Sequence, residues 1–403
     1  MRLDDLRIIP RIVEFTPDMV AIRRDIHAHP EIRFEEFRTS DLVAKTLESY
    51  GYAVARGLGG TGLVGTLKAG SSTRTLGLRA DMDALPITEK NTFPHVSRTV
   101  GKMHACGHDG HTTMLLAAAR YLAETRNFDG TLNVIFQPAE EGGAGAARTM
   151  DEGLFERFPC DAIYGVHNWP GIPVGTFGVR PGPMMASSNE FELVVRGKGA
   201  HAAMPHLGVD SVMVAVQIAQ SLQMLISREK KPIDTAVLSI TQINAGEAIN
   251  VIPNTATMKG TVRTFTTEVL DQIESGMARI ATSVAAAFNA EVDFEFKRNY
   301  PPTVNHPEQA EFAAKVLDTI VGPQNVRRDQ EPTMGAEDFS FMLLKRPGAY
   351  LFIGNGDGAH RDEGHGMGPC MLHNPSYDFN DELIPLGATF FVKLTETWLT
   401  GAR

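Results

Sequence analysis

The sequence contains few cysteines. Only three occur in 403 residues: Cys106, Cys160 and Cys370. Three cysteines cannot build a disulfide framework for a chain of this length, so a disulfide-rich secreted domain is excluded. We interpret them as reduced thiols, at least one of which is free to bind a metal or take part in catalysis. Reduced thiols favour a cytoplasmic location.

Long apolar runs and an excess of positive charge are also missing. No apolar run approaches the roughly 20 residues that a membrane-spanning helix needs. The segment 1–15 carries acidic residues where a signal peptide would carry its apolar stretch. The formal net charge of −10 repels phosphate backbones. We therefore expect neither a membrane nor a nucleic acid as a partner.

The composition that remains is that of a globular protein with about two domains. Strands alternate with helices at first, and segment 187–298 then follows the β-α-β-β-α-β order of a ferredoxin-like unit. We predict an α/β protein: a mixed-sheet catalytic domain at 1–186 and 299–403, interrupted by a ferredoxin-like α+β lid at 187–298. Two local predictions place Pro17 in the first turn of a helix and Ala336–Lys345 in a helix.

The densest group of potential metal ligands is His104–His111, which contains one cysteine and three histidines. Thiolate and imidazole suit a borderline-soft divalent ion. The glycines near His108 allow the backbone to bend so that Cys106 and His108 face one ion. An ordinary turn before a helix explains one histidine, but such a dense group favours a metal site.

Three further ligand candidates follow apolar segments or lie in a late loop. Glu140 and Glu141 come after a predicted buried strand, and adjacent side chains at a strand end point in different directions. One carboxylate can therefore bind a metal while its neighbour acts as a general base. His167 closes a second apolar strand, and His373 lies in a late loop. Each is more often structural when taken alone and gains weight only as part of the set.

A glycine-rich segment, Gly57–Gly62, fits the pattern of a dinucleotide-binding turn. That pattern must open a helix, whereas Leu63–Leu67 is typical of a strand. We therefore predict no nicotinamide site and no nucleotide-dependent oxidoreductase. Cys370 lies close to His373, but we interpret it as a packed free thiol rather than a ligand.

With these residues placed, the chain resembles the metal-dependent amidohydrolases typified by hippurate hydrolase and the plant auxin-conjugate hydrolases. These enzymes belong to the aminoacylase/carboxypeptidase-like metallopeptidases. The matching segments span nearly the whole chain in order: 78–86, 104–111, 137–143, 165–170, 199–201, 250–253, 337–339 and 373–375.

The resemblance implies two divalent ions per subunit, bridged by Cys106. One ion would also bind Glu141 and His373, and the other would also bind His108 and His167.

The same resemblance implies roles around the ions. Glu140 would be the general base, and Asp83 would orient a metal-bound histidine. In the lid, which would also form a homodimer, His201 would stabilise the developing oxyanion from its own subunit or from the partner. Asn250 and Arg263 match positions near the substrate, and the guanidinium could pair with a substrate carboxylate. An ordinary surface charge explains Arg263 equally well.

The predicted reaction is hydrolysis of the amide bond of an N-acyl amino acid, hippurate-like or carrying another aromatic acyl group. A dipeptidase or an N-acetyl-amino-acid deacetylase would use the same two-metal site. A binding protein with a non-catalytic metal is the alternative from another class. The ligands suit zinc or manganese, with cobalt or nickel as further options. The preferred acyl group and amino acid stay open.

Overall fold

The computed structural model describes residues 6–361 and 364–401. The chain forms two compact units. The first comprises the described parts of Met1–Met184, Val304–Glu331 and Asp338–Arg403, and the second comprises Met185–Thr303 and Pro332–Glu337. The first five residues, which belong to the predicted non-signal segment, and the last two, which end the predicted catalytic domain, lie outside the described residues.

The helices are α1 (Pro10–Ala28), α2 (Phe37–Ser49), α3 (His108–Thr125), α4 (Glu140–Gly143), α5 (Gly145–Asp151), α6 (Leu154–Arg157), α7 (Ser211–Met224), α8 (Thr267–Ala287), α9 (Pro307–Val321), α10 (Phe339–Leu343) and α11 (Leu383–Thr400). The strands are β1 (Ala53–Leu58), β2 (Gly62–Ala69), β3 (Thr75–Asp81), β4 (Gly130–Gln137), β5 (Ala162–Pro170), β6 (Phe177–Gly178), β7 (Gly182–Met185), β8 (Ser188–Arg196), β9 (Ala200–His201), β10 (Ala236–Ala245), β11 (Val251–Ile252), β12 (Thr255–Thr264), β13 (Glu291–Tyr300), β14 (Thr303–Asn305), β15 (Val326–Arg327) and β16 (Gly348–Gly356).

A mixed eight-stranded sheet, in the order β1-β2-β4-β3-β5-β16-β6-β15, forms the centre of the first unit. Its middle strands β4, β3, β5 and β16 run parallel. These strands are buried almost throughout, as expected for apolar strands covered on both faces. Their carboxyl ends therefore meet at one edge, which is where open α/β sheets place their sites.

The second unit is a four-stranded antiparallel sheet, in the order β10-β12-β8-β13, with helices α7 and α8 packed on one face. Alternate residues of β8, including Phe191, Leu193 and Val195, are buried in its core. The chain order β8-α7-β10-β12-α8-β13 is that of a ferredoxin-like unit. Asp210 caps α7, because its carboxylate accepts hydrogen bonds from the amides of Val212 and Met213.

Three local predictions were wrong. Pro17 lies inside α1, which begins at Pro10, so Pro10 is the proline of the first turn. The strand predicted to close at His167 continues to Pro170, since it pairs with β16 as far as that residue. The helix predicted over Ala336–Lys345 is only the short α10. Asp338 instead uses its carboxylate to bond the side chains of Arg79 and Gln137.

The glycine-rich segment Gly57–Gly62 is the turn of a β-hairpin, in which β1 pairs antiparallel with β2. A strand rather than a helix follows the glycines, so this turn lacks the helix N-terminus that a dinucleotide phosphate needs. Within residues 6–361 and 364–401, no helix is long and apolar enough to cross a membrane.

Candidate metal centre

Two groups of potential metal ligands lie side by side in the first unit and share Cys106. One consists of Cys106, His108 and His167, and the other of Cys106, Glu141 and His373. Within each group the donor atoms lie within 4.8 Å of one another. The structure therefore brings all five sequence-predicted ligands together, in the same two sets that the family resemblance implies.

Gly107, which has a left-handed backbone conformation, separates the candidate ligands Cys106 and His108. Gly107 has a φ of 94° and directly precedes α3. A β-carbon at this position would overlap the side chains of Asn168 and Tyr377. Only glycine fits both requirements, and the turn it makes leads the chain from Cys106 into a helix that begins with His108.

His167 is oriented for coordination by its own backbone neighbour. Its Nδ1 lies 2.6 Å from the carbonyl oxygen of Asn168, so this nitrogen carries the proton and donates. The lone pair of Nε2 then faces the Sγ of Cys106, 3.4 Å away. Burial, reinforced by nearby His111, lowers the pKa of His167 well below its ordinary value. The imidazole is consequently neutral at physiological pH, as a metal ligand must be.

Glu141 and His373 meet although they are far apart in the chain. His373 Nε2 lies 3.0 Å from Glu141 Oε1, and this contact raises the pKa of His373. The backbone amide of His373 donates to the carbonyl oxygen of Ala105 at 2.7 Å. The late loop is thereby fixed beside Cys106.

The polar atoms at this site fit a divalent cation. Both ring nitrogens of His108 are buried, and their close polar neighbours among the described residues include the carboxylates of Asp83 and Asp81. Burial and the neighbouring carboxylates of Glu141 and Glu140 raise the pKa of the Cys106 thiol well above its ordinary value. A bound cation would reverse that effect, because its charge would stabilise the thiolate.

Asp83 fixes the turn that carries the two glutamates. Its Oδ1 accepts from the amide of Glu140 at 3.0 Å, and its Oδ2 accepts from the amide of Glu141 at 2.9 Å. The Nδ1 of His108 also lies 3.3 Å from Asp83 Oδ1. Asp83 is thus beside a candidate ligand, as the family resemblance implied. It also holds the turn through two backbone amides, which the sequence did not reveal.

Glu140 is buried next to the candidate ligands. Its carboxylate oxygen lies within 4.8 Å of donor atoms of His108 and Glu141. The Oε1 atom also lies 3.4 Å from the amide nitrogen of Asp338. A carboxylate in this position can exchange a proton with a water molecule bound at the centre.

Sequence reasoning missed a chain of buried polar residues behind the ligands. His111 Nδ1 lies 2.7 Å from Asp81 Oδ1, and its Nε2 lies 2.7 Å from Asn168 Oδ1. Asn168 in turn donates to the hydroxyl oxygen of Tyr377 at 2.6 Å. Partners of this kind hold ligating residues in place. The signal was present, since Asp81 and His111 belong to the polar motifs that supplied Asp83 and His108.

A second buried network links His27 of α1 to Asp109 of α3, and we expect it to make folding stability pH-dependent. His27 Nδ1 lies 2.9 Å from Asp109 Oδ2, and its Nε2 lies 3.2 Å from Glu89 Oε1. Burial lowers the pKa of His27, but the hydrogen bonds to Asp109 and Glu89 outweigh it and raise the pKa to about 9. The protonated imidazole therefore stabilises the folded state.

We expect this contribution to be complete below pH 6.5, the ordinary pKa of His27, and to disappear as the pH rises through about 9. The difference in free energy of unfolding between the wild type and His27→Gln should shrink by roughly 3 kcal/mol over that interval. Urea denaturation of both proteins at pH 6 and pH 9.5 measures it. A difference that stays constant with pH would contradict the assignment.

The remaining sequence-predicted residues lie in the second unit. His201 is exposed on β9 and pairs with Val251 of β11. Asn250 lies close to His201. Its carbonyl oxygen accepts a hydrogen bond from the backbone amide of Ala202, the next residue after His201, at 3.0 Å. Arg263, on β12, lines a cavity of about 480 Å³ together with Glu190 and Lys259.

The chain is similar to known proteins over nearly its whole length. Residues 77–397 match the family described as Peptidase family M20/M25/M40. Hippurate hydrolase of Campylobacter jejuni is 40% identical over 394 residues, covering 98% of this chain and 100% of that protein. IAA-amino acid hydrolase ILR1-like 4 of Arabidopsis thaliana is 39% identical, covering 96% of this chain and 87% of that protein.

Among solved structures, the Bacillus subtilis YXEP protein, described as a dinuclear metal binding peptidase from the M20 family, is 34% identical with a TM-score of 0.82. The match covers 96% of this chain and 99% of that one. The predicted mixed α/β fold and the predicted type of enzyme are thereby confirmed. This chain therefore belongs to Peptidase family M20/M25/M40.

Proposed function

We propose that this protein is a metal-dependent amidohydrolase that cleaves the amide bond of N-acyl amino acids, with hippurate-like or other aromatic acyl conjugates as substrates. One observation carries the proposal. Two groups of side chains that could hold a metal ion share the thiol of Cys106, and the carboxylate of Glu140 lies beside them. A structural metal site has no use for such an adjacent base.

In this proposal the thiolate of Cys106 would be shared by two divalent ions. Glu141 and His373 would hold the first ion together with it, and His108 and His167 would hold the second. Bound zinc or manganese would lower the pKa of a water molecule and polarise the substrate carbonyl. Cobalt or nickel could replace them, because the mixed sulfur, nitrogen and oxygen donors do not select one metal.

In the proposed reaction Glu140 transfers the proton and His201 stabilises the negative charge that develops on the carbonyl oxygen. Glu140 accepts a proton from the water molecule while the oxygen of that water bonds to the amide carbon. His201 stabilises the resulting oxyanion. Glu140 returns the proton to the nitrogen as the carbon–nitrogen bond breaks, which releases a carboxylic acid and a free amino acid.

Arg263 and Asn250 are proposed substrate-binding residues. Burial lowers the pKa of the Arg263 guanidinium, and the nearby charge of Glu190 only partly offsets this effect. A substrate carboxylate would supply an ion-pair partner. The expected signature of Arg263→Ala is therefore a higher KM for substrates that carry a free carboxylate.

The proposed reaction is tested with a substrate panel on metal-depleted protein reconstituted separately with zinc, manganese, cobalt and nickel. The panel contains hippurate, an indole-acetyl amino acid, an N-acetyl amino acid and a dipeptide. We expect the aromatic acyl conjugates to be hydrolysed fastest. Faster turnover of the N-acetyl amino acid or of the dipeptide would identify a deacetylase or a dipeptidase instead. No turnover with any metal would leave a non-catalytic metal protein.

We further propose a homodimer formed through the second unit. Helix α7 exposes the apolar side chains of Met213, Val216 and Met224, and β10 is an edge strand with Ile243 exposed. An unpaired edge beside an apolar helix face is a surface that a second copy can cover.

The three free cysteines support a cytoplasmic location.

Met213→Glu should shift the protein from dimer to monomer, because a carboxylate cannot be buried unpaired in an apolar interface. Sedimentation equilibrium, with a monomer mass of 43.9 kDa, measures the change. Met367→Glu is the matched control, since Met367 is fully exposed in the other unit. A wild type that is already monomeric would contradict the proposal.

A further inference from the structure

A glutamate outside the candidate metal centre is fully buried against the turn that carries Glu140. Glu36 has no solvent exposure. Its Oε1 accepts a hydrogen bond from the backbone amide of Ala139 at 2.9 Å. Its Oε2 accepts one from the hydroxyl of Thr61. Burying a carboxylate is costly, so these contacts need an explanation.

The turn itself has an unfavourable backbone that these contacts stabilise. Ala139 has a φ of 54°, in the left-handed region that non-glycine residues rarely adopt. Three successive amides, those of Ala139, Glu140 and Glu141, point to side-chain carboxylates: the first to Glu36 and the other two to Asp83. The direction of both glutamate side chains depends on this arrangement.

Glu36 is not needed for the helix that follows it. It precedes α2, but its side chain forms no capping hydrogen bond there. Glu31 performs that task, because its two carboxylate oxygens accept from the amides of Arg38 and Thr39 at 2.9 and 2.8 Å. The side chain of Glu36 is thus directed away from its own helix and toward Ala139.

We propose that Glu36 is a positioning residue for the metal centre, which holds Ala139 in its left-handed conformation and thereby aims Glu140 and Glu141. This inference rests on the proposed function, in which Glu141 binds metal and Glu140 is the base. Arg33 supports the same turn, since its Nη1 donates to the carbonyl oxygen of Glu141 at 3.2 Å.

The hydrogen bond to Ala139 persists in either protonation state of Glu36. Burial and the nearby charge of Asp83 raise the pKa of Glu36 to about 7. When the carboxyl group is protonated on Oε2, the Oε1 atom still accepts from Ala139. Glutamine keeps an equivalent oxygen, so Glu36→Gln is a conservative replacement, whereas Glu36→Ala removes the acceptor.

The test compares Glu36→Ala, Glu36→Gln and Asn133→Ala as metal-loaded enzymes and in zinc titrations against a chromophoric chelator. Asn133 is buried in the same strand that leads to the turn, and its side chain bonds Thr66 and the carbonyl oxygen of Pro159. Asn133→Ala therefore reports general loss of stability. Loss of a residue that supports metal ligands typically reduces metal affinity or activity by about 10- to 100-fold.

We expect Glu36→Ala to weaken zinc binding and lower kcat to that extent, with KM changed by only a few-fold. Glu36→Gln should restore both quantities to near the wild-type values. Asn133→Ala should lower the melting temperature without changing zinc affinity. Wild-type zinc affinity in Glu36→Ala would overturn the proposal, and so would a Glu36→Gln variant as impaired as the alanine variant.

If Glu36→Ala does not fold, Thr61→Val provides the test instead, because it removes only the hydroxyl group that donates to Oε2 of Glu36. It should weaken zinc binding by a few-fold, and unchanged affinity would count against the proposal. The zinc titration also separates this inference from the proposed reaction. A wild type that binds two ions but hydrolyses nothing would refute the reaction alone. An active wild type with an unaffected Glu36→Ala would refute the positioning role alone.

Discussion

Glu140→Gln is expected to lower kcat by a factor of about 10³ while both metal ions stay bound. General acid–base groups contribute on the order of 10²- to 10⁴-fold, and Glu140 is the proposed proton carrier for both the water and the leaving nitrogen. Glutamine has the same shape but cannot take up a proton. Asp83 bonds the backbone amide of residue 140 rather than its side chain, so the turn should keep its conformation.

The neighbouring residue supplies the matched control. Glu141→Gln changes the same chemical group one position along the chain, but it removes a proposed ligand instead of the base. We expect this variant to lose metal affinity, whereas Glu140→Gln should keep it. Steady-state kinetics with hippurate and elemental analysis of dialysed protein give both quantities. Near-wild-type turnover in Glu140→Gln would show that another group is the base.

Cys106→Ala is expected to weaken binding of both ions. Cys106 is the one residue that belongs to both three-residue donor groups built from the five proposed ligands. Its loss removes a proposed direct ligand from each ion, so zinc affinity should fall by more than the roughly 100-fold found for residues that only support ligands. Activity should fall with metal content.

Cys160→Ala is the control for Cys106→Ala. Cys160 is also a buried free thiol, but its sulfur contacts Asn133 and the carbonyl oxygen of Phe158 rather than a group of ligands. Burial raises its pKa to about 12, so it stays a thiol. This variant should keep two ions per subunit. Full occupancy by two ions in Cys106→Ala, measured by elemental analysis, would refute the bridging role.

Much of the fold could be predicted because its signals are local. The buried strands before Gln137 and His167 follow from short apolar runs, and the ferredoxin-like order of the second unit follows from alternating periodicities. Prediction failed where a local rule met a tertiary contact. Pro17 sits inside α1 although proline usually opens a helix. Asp338 lies just before α10 rather than inside a helix, and its carboxylate accepts hydrogen bonds from Arg79 and Gln137.

The candidate ligands can be found from the sequence, because Cys106 and His108 are near neighbours in the chain and Glu140 adjoins Glu141. The tertiary structure was needed to show that Cys106 belongs to two groups of candidate ligands and that His373 contacts Glu141. It also decided that Glu36 reaches Ala139, a contact between residues 103 positions apart. Hydrophobic periodicity reports the face on which a residue lies. It does not predict which distant polar group will accept a hydrogen bond from a buried amide, since that depends on how the strands and loops pack.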